Sequence, residues 1–170
     1  SEISELFGVL ALKGQDSKIV DVLKLLDPRI KKLTTITIGG LSGVYADLGL
    51  SSLLSINMLG DGINKLMQIV LAMLSSPGGI LLVDELENGF HYSFYPKLWE
   101  VIGKIAKDTD SQVIATTHSY ECISAAKSLA VNDTDLFGYI RLDRKEDIVK
   151  ANRFDNDAFE YAIDNDIEVR

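Results

Sequence analysis

Two adjacent carboxylates, Asp84 and Glu85, close the apolar run ILLV in ILLVDELENGF. At the tip of a buried strand, one carboxylate can hold a Mg2+ through water while its neighbour polarises a nucleophilic water. Successive strand side chains point to opposite faces, so the two acids can take separate duties. An apolar run ending in Asp-Glu is also a common way to begin a solvated loop, and the motif alone supports both readings. His118, in TTHS, follows a second apolar run, where an imidazole can donate a hydrogen bond to a terminal phosphate and the attacking water. A lone histidine is more often a satisfied surface or core residue. His118 gains weight because a sheet built from both runs sets it beside Asp84 and Glu85.

LGDGINK (59–65) opens an apolar stripe. Two glycines at a helix start let backbone N–H groups approach an anion, which the helix dipole also favours. The same letters describe a simple capping turn with Asp61 as the cap, and Asp61 would oppose a phosphate. His91, after ENGF, reads as a loop residue in preference to an interface residue. Cys122 lies in an apolar helical stretch and reads as packing. No Ser-His-Asp or Cys-His arrangement and no Cys/His metal cluster is suggested.

The elements that would position these groups follow from periodicity. LFGVLAL (6–12) reads as a buried strand. Residues 19, 22, 23 and 26 are apolar at helical spacing, with Asp27-Pro28 as the stop. TTITI and VYADL read as a hairpin around GGLSG, and LSSLLSI as a loop. Ile63, Leu66, Met67, Val70, Leu71 and Leu74 form one helical stripe. ILLV is a strand, a helix begins near Ser93 with Pro96 in its first turn, and QVIATT is another strand. A helix then runs through Cys122, Ile123, Ala126 and Leu129, LFGYIRL and DIVKA form a strand pair, and DNDAFEYAI closes the chain as a helix. Continuous apolar strands alternating with helices predict a mostly parallel sheet covered on both faces, with ligands at the strands' carboxyl ends.

The chain has 170 residues, 46% hydrophobic and 25% charged, which fits one soluble globular domain over residues 1–170. Its net charge of −8 argues weakly against a general nucleic-acid-binding surface. A single cysteine excludes an internal disulfide and fits a reducing compartment. No segment approaches the about 18–20 apolar residues of a membrane span, and SEISE is no signal peptide, so the expected location is the cytoplasm.

The order of the motifs resembles the ATP-binding-cassette ATPase fold. LGDGI aligns with the signature motif, ILLVDE, beginning 21 residues after Leu59, with the Walker B strand and catalytic glutamate, ENGFH with the D-loop, and HS, 33 residues after Glu85, with the switch histidine. DELENGFH followed by VIATTHS is similar to the soluble AAA-type ATPases near the OLD (overcoming lysogenization defect) family and RecF, which are linked to DNA repair and phage defence. The resemblance covers roughly residues 15 to 130. It implies ATP and Mg2+ as cofactors, with Asp84 organising the metal, Glu85 directing the water and His118 contacting the γ-phosphate. Leu59, Gly60, Asp61 and Gly62 would face the ATP of a partner subunit in a homodimer, and His91 would sit near that partner. Gly60 stands where many members have Ser, and Leu86 where Pro is usual.

A phosphate loop of the form G-x-x-x-x-G-K-[ST] is absent: neither GGLSG nor SSPGG continues into Gly-Lys-Ser/Thr. The expectation is therefore the C-terminal part of an ABC-type AAA ATPase, a partial P-loop NTPase of α/β class with a small β pair near its N-terminus. The Walker A half lies elsewhere, and these residues alone bind ATP feebly. A catalytically inactive dimerisation or docking module is the alternative. DNA, a nuclease or a toxin remain open as partners.

Overall fold

The computed structural model describes residues 2–132, 136–165 and 167. The helical stripe of residues 63–74 is its axis. It folds as helix α3 (Asp61–Ser75), whose Leu66, Met67, Val70 and Leu71 are almost fully buried. Against it pack α1 (Glu2–Leu12), α2 (Asp16–Leu23) and α4 (Tyr95–Thr109). The N-terminal hairpin appears as β1 (Lys32–Ile38) and β2 (Leu41–Asp47), turned by Gly39 and Gly40, both at positive φ. A short β3 (Leu54–Ser55) in the serine-rich loop adds a third antiparallel strand.

The strand expected over residues 6–12 is instead part of α1. A short apolar run does not separate strand from helix. Burial does: Phe7 and Leu10 enter the core at helical spacing, whereas Leu12 is 91% exposed. Ser4, one turn before Phe7, is buried and its hydroxyl donates to the Ser42 carbonyl at 3.2 Å. Helix α2 ends at Leu23, before Asp27-Pro28. Asp27 then holds Arg29 through a forked pair at 2.9 and 2.8 Å, which keeps its carboxyl below its usual range.

The centre of the chain is β4 (Ile80–Val83), α4 and β5 (Gln112–Ala115), with β4 and β5 parallel and Val83 opposite Ala115. The expected mostly parallel sheet is not what forms among the described residues. They make three small sheets, of which only the β4–β5 pair is parallel. Coverage of both faces also fails. Val83 packs into the core, but Ile80, Leu82 and Ile114, which share the opposite face, are 65, 71 and 50% exposed.

The helix expected through Cys122 to Leu129 breaks at Ala126 into α5 (Tyr120–Ala125) and α6 (Lys127–Asn132). The strand pair is the antiparallel hairpin β6 (Tyr139–Lys145) and β7 (Ile148–Phe154), and α7 (Asn156–Asp164) starts on an Asp155 cap that accepts from the Ala158 N–H at 2.8 Å. A second, smaller core holds this end together around Phe159, Ala162, Ile123 and Ala130. Trp99 joins the two cores, donating to the Cys122 carbonyl at 2.8 Å and meeting Phe137 edge-on. No helix among the described residues is long and apolar enough to cross a membrane.

Phe159→Ala should therefore cost about 3–5 kcal/mol, the usual range for emptying a buried aromatic site. Amide exchange should accelerate in β6 and β7 while α3 and β4 stay protected, because the loss falls in the smaller core.

Candidate functional site

Parallel pairing carries both polar motifs to the same end of β4 and β5. It continues past the strands: the Thr116 N–H donates to the Val83 carbonyl and the Leu86 N–H to the Thr116 carbonyl, both at 2.9 Å. The Thr116 hydroxyl stands between the two carboxylate residues. It accepts from the Glu85 N–H at 2.9 Å and donates to Asp84 Oδ1 in a short hydrogen bond. The strand has ended by then, and Glu85 adopts a left-handed φ of +47°. The divergence of the two acids is thus set by a turn, not by strand pleating. Asn88 donates to Glu85 Oε2, also in a short hydrogen bond. Asp84, Glu85 and His118 are all exposed.

The helix start LGDG abuts this turn. Gly60, not Asp61, is the residue before the first helical turn, and it supplies no side-chain cap. Its φ of +103° belongs to glycine. Asp61 is the first helical residue and exposed, and Leu59 is half-buried against the core. At Gly62 the neighbouring backbone dictates the residue. A Cβ there would lie 2.6 Å from the Gly89 carbonyl oxygen, so the glycine lets the helix start and the ENGF turn touch backbone to backbone. One turn on, the Lys65 ammonium donates to the Glu85 carbonyl at 2.5 Å. His91 accepts from the Ser93 N–H through Nδ1 at 3.4 Å and caps the short 3-10 turn leading into α4, with its ring against Tyr92.

Sequence reasoning did not single out Thr116, Lys65, Glu87 or Asn88. Their signal was faint: polar residues one to four positions from a marked one, whose partners only the strand register decides. Cys122 is packing, as expected. Burial pushes its thiol up, opposed in part by the Thr117 side chain, which leaves it protonated and inert.

Among the described residues no group of three or more His, Cys, Asp or Glu converges as a metal cage. A Mg2+ held with a nucleotide does not need one, since one or two carboxylates, waters and phosphate oxygens complete its shell. Asp84, exposed and oriented by Thr116, fits that requirement.

The acidic strand tip and the histidine loop sit on neighbouring parallel strands, beside a glycine-opened helix, in an α/β fold of the kind found in AAA- and ABC-type ATPases. The chain belongs to the family described as "AAA domain, putative AbiEii toxin, Type IV TA system", whose pattern matches residues 13–124. It is 38% identical over 71 residues to an ATP/GTP phosphatase of Helicobacter pylori (strain ATCC 700392 / 26695), a match covering 40% of this chain and 19% of that relative. The fold is similar to a chain from SMC ATPases studied for ATP-driven dimerization and DNA-stimulated activation, at TM-score 0.63 and 13% identity over 94% of this chain and 95% of that one. It is also similar to the Smc head domain of Pyrococcus yayanosii, at TM-score 0.63 and 12% identity over 92% of this chain and 30% of that one. The site described here lies within the family match.

Gly62→Ala should destabilise the protein by about 1–3 kcal/mol, because backbone must move to admit the methyl group. Amide exchange should rise at residues 88–90. Gly60→Ala meets open space, and its cost of similar size is conformational. It should leave residues 88–90 protected, and denaturant unfolding with site-resolved exchange separates the two.

Proposed function

We propose that this chain is the part of a soluble AAA-type ATPase domain that hydrolyses ATP, carrying the acidic strand tip, the switch histidine and the signature-like helix start. The observation that carries the reading is the Thr116 bridge, which ties Asp84, Glu85 and the His118 loop into one edge. In this reading Asp84 would hold a Mg2+, whose charge would offset that of the phosphates. Glu85, with Oε2 held by Asn88 and its backbone held by Lys65, directs the attacking water, and His118 donates to the terminal phosphate. Leu59, Gly60, Asp61 and Gly62 face the nucleotide of a second copy, with His91 near that copy, so the active unit is an ATP-sandwiched homodimer.

The phosphate grip comes from residues outside these 170, which contain no G-x-x-x-x-G-K-[ST]. The exposed Ile80, Leu82 and Ile114 face supports this, since parallel sheets are ordinarily covered on both sides. Without that loop most contacts to the triphosphate are unmade, so these residues by themselves bind ATP feebly. The wording of DELENGFH and VIATTHS supports placing it with the OLD- and RecF-like ATPases, with DNA repair or phage defence as the setting and DNA, a nuclease or a toxin as the partner class.

In the full-length protein, Glu85→Gln should lower ATP turnover about a hundredfold or more, the scale of losing a positioned general base. ATP binding should persist and dimers accumulate, measured by steady-state hydrolysis, calorimetry and light scattering. Unchanged turnover would favour the non-catalytic docking module instead.

A further inference from the structure

His118 lies on a four-residue connection between β5 and α5, with neither strand nor helix pairing to fix it. Its ring is exposed. Its backbone N–H donates to Glu87 Oε1 at 2.8 Å, and the next residue is held by the Ser119 N–H donating to Thr117 Oγ1 at 3.1 Å. Glu87 is anchored in the turn that follows the acidic pair. It is half-buried, and its Oε2 is buried without a hydrogen-bond partner among the described residues. A carboxylate kept in that setting carries a desolvation cost, which a solvated loop acid would avoid by turning outward. Burial pushes the Glu87 carboxyl up, but the Thr117 side chain and the His118 N–H outweigh it, and the group sits below its usual range. It is charged at neutral pH, and a charged acceptor makes the stronger hydrogen bond.

We propose that Glu87 is a positioning residue for His118: its carboxylate fixes the backbone of the switch loop so that the imidazole is presented to the terminal phosphate. The inference rests on the ATPase reading above and adds a residue to it. The stretch 85–88 then divides its work. Glu85 faces the water, Asn88 steadies Glu85, and Glu87 reaches across to the neighbouring strand's loop. The acid that directs the water and the histidine that meets the phosphate are held at a fixed spacing by one turn.

The test is steady-state ATP hydrolysis by the full-length protein. Glu87→Ala should lower kcat about tenfold, the scale of one charge-assisted hydrogen bond, with KM for ATP and melting temperature close to the parent's. Glu87→Gln keeps a carbonyl oxygen to accept the same N–H, and should remain within about threefold of the parent. Glu87→Asp keeps the charge but falls short of the amide, and should resemble the alanine variant. Combined with His118→Ala, Glu87→Ala should add no further loss, because its effect runs through the imidazole. Parent-like kcat in Glu87→Ala, or losses that multiply in the double variant, would overturn the proposal. If the alanine variant does not fold, the order Gln above Asp upholds the proposal and the reverse order overturns it. Full turnover in both Glu85→Gln and His118→Ala removes the ATPase reading itself, an outcome distinct from failure at Glu87 alone.

Discussion

The parallel pairing of β4 with β5, and its extension through Thr116, is the constraint on which the site depends. Each strand is only four residues long. Parallel strands cannot be joined by a tight turn, and here α4 makes the crossover, buried through Leu98, Val101 and Ile102. The register puts Val83 opposite Ala115, so the chains leave the sheet together. Thr116 is the first residue beyond it on one side, and its backbone and hydroxyl reach the first three residues beyond it on the other. A slip of one residue would turn the hydroxyl to the opposite face and separate Asp84 from the loop of His118.

The second constraint is the seam between α3 and the acidic turn. Gly62 touches Gly89 backbone to backbone, and Lys65 reaches the Glu85 carbonyl from the next turn of the same helix face. Both contacts tie the LGDG start to the residues after β4. If LGDG meets the nucleotide of a second copy, as proposed, a displacement there is passed to Glu85 by packed backbone and not by a flexible linker. The identity of residue 62 is then set by packing, while that of residue 60 is set by its φ.

Much of this was legible in the sequence where periodicity was long or punctuation strong. The stripe of residues 63–74, Pro96 in the first turn of α4, and Gly39-Gly40 in the hairpin all fold as their letters dictate. LFGVLAL was not, because seven apolar residues satisfy a strand and a helix equally, and tertiary burial of Phe7 and Leu10 decided between them. The single helix expected after Ser119 breaks at Ala126, which carries no breaking residue. Asp84, Glu85 and His118 stand out in the sequence because strand tips are read one strand at a time. Thr116, Glu87 and Lys65 do not, because each matters through a partner 19 to 32 positions away. The sheet was overestimated for a related reason: apolar letters predict burial of both faces, but Ile80, Leu82 and Ile114 have no covering element among the described residues.

Charge gives the last step. The turn and helix start bring together Asp61, Asp84, Glu85 and Glu87, in a chain whose net charge is −8. Lys65 is a nearby cation, but its ammonium is committed to main-chain carbonyls of the same turn. A triphosphate approaching this edge meets carboxylates, and at a few ångströms such repulsion is worth about 1–4 kcal/mol per pair near a protein surface. A metal ion held by Asp84 would offset part of it. The remainder requires amide groups and a cation from another segment, which is what a phosphate loop provides. The acidic edge therefore suits water activation and metal orientation far better than nucleotide capture. In the ATPase proposed here, capture and hydrolysis are divided between segments that meet over the uncovered face of β4 and β5.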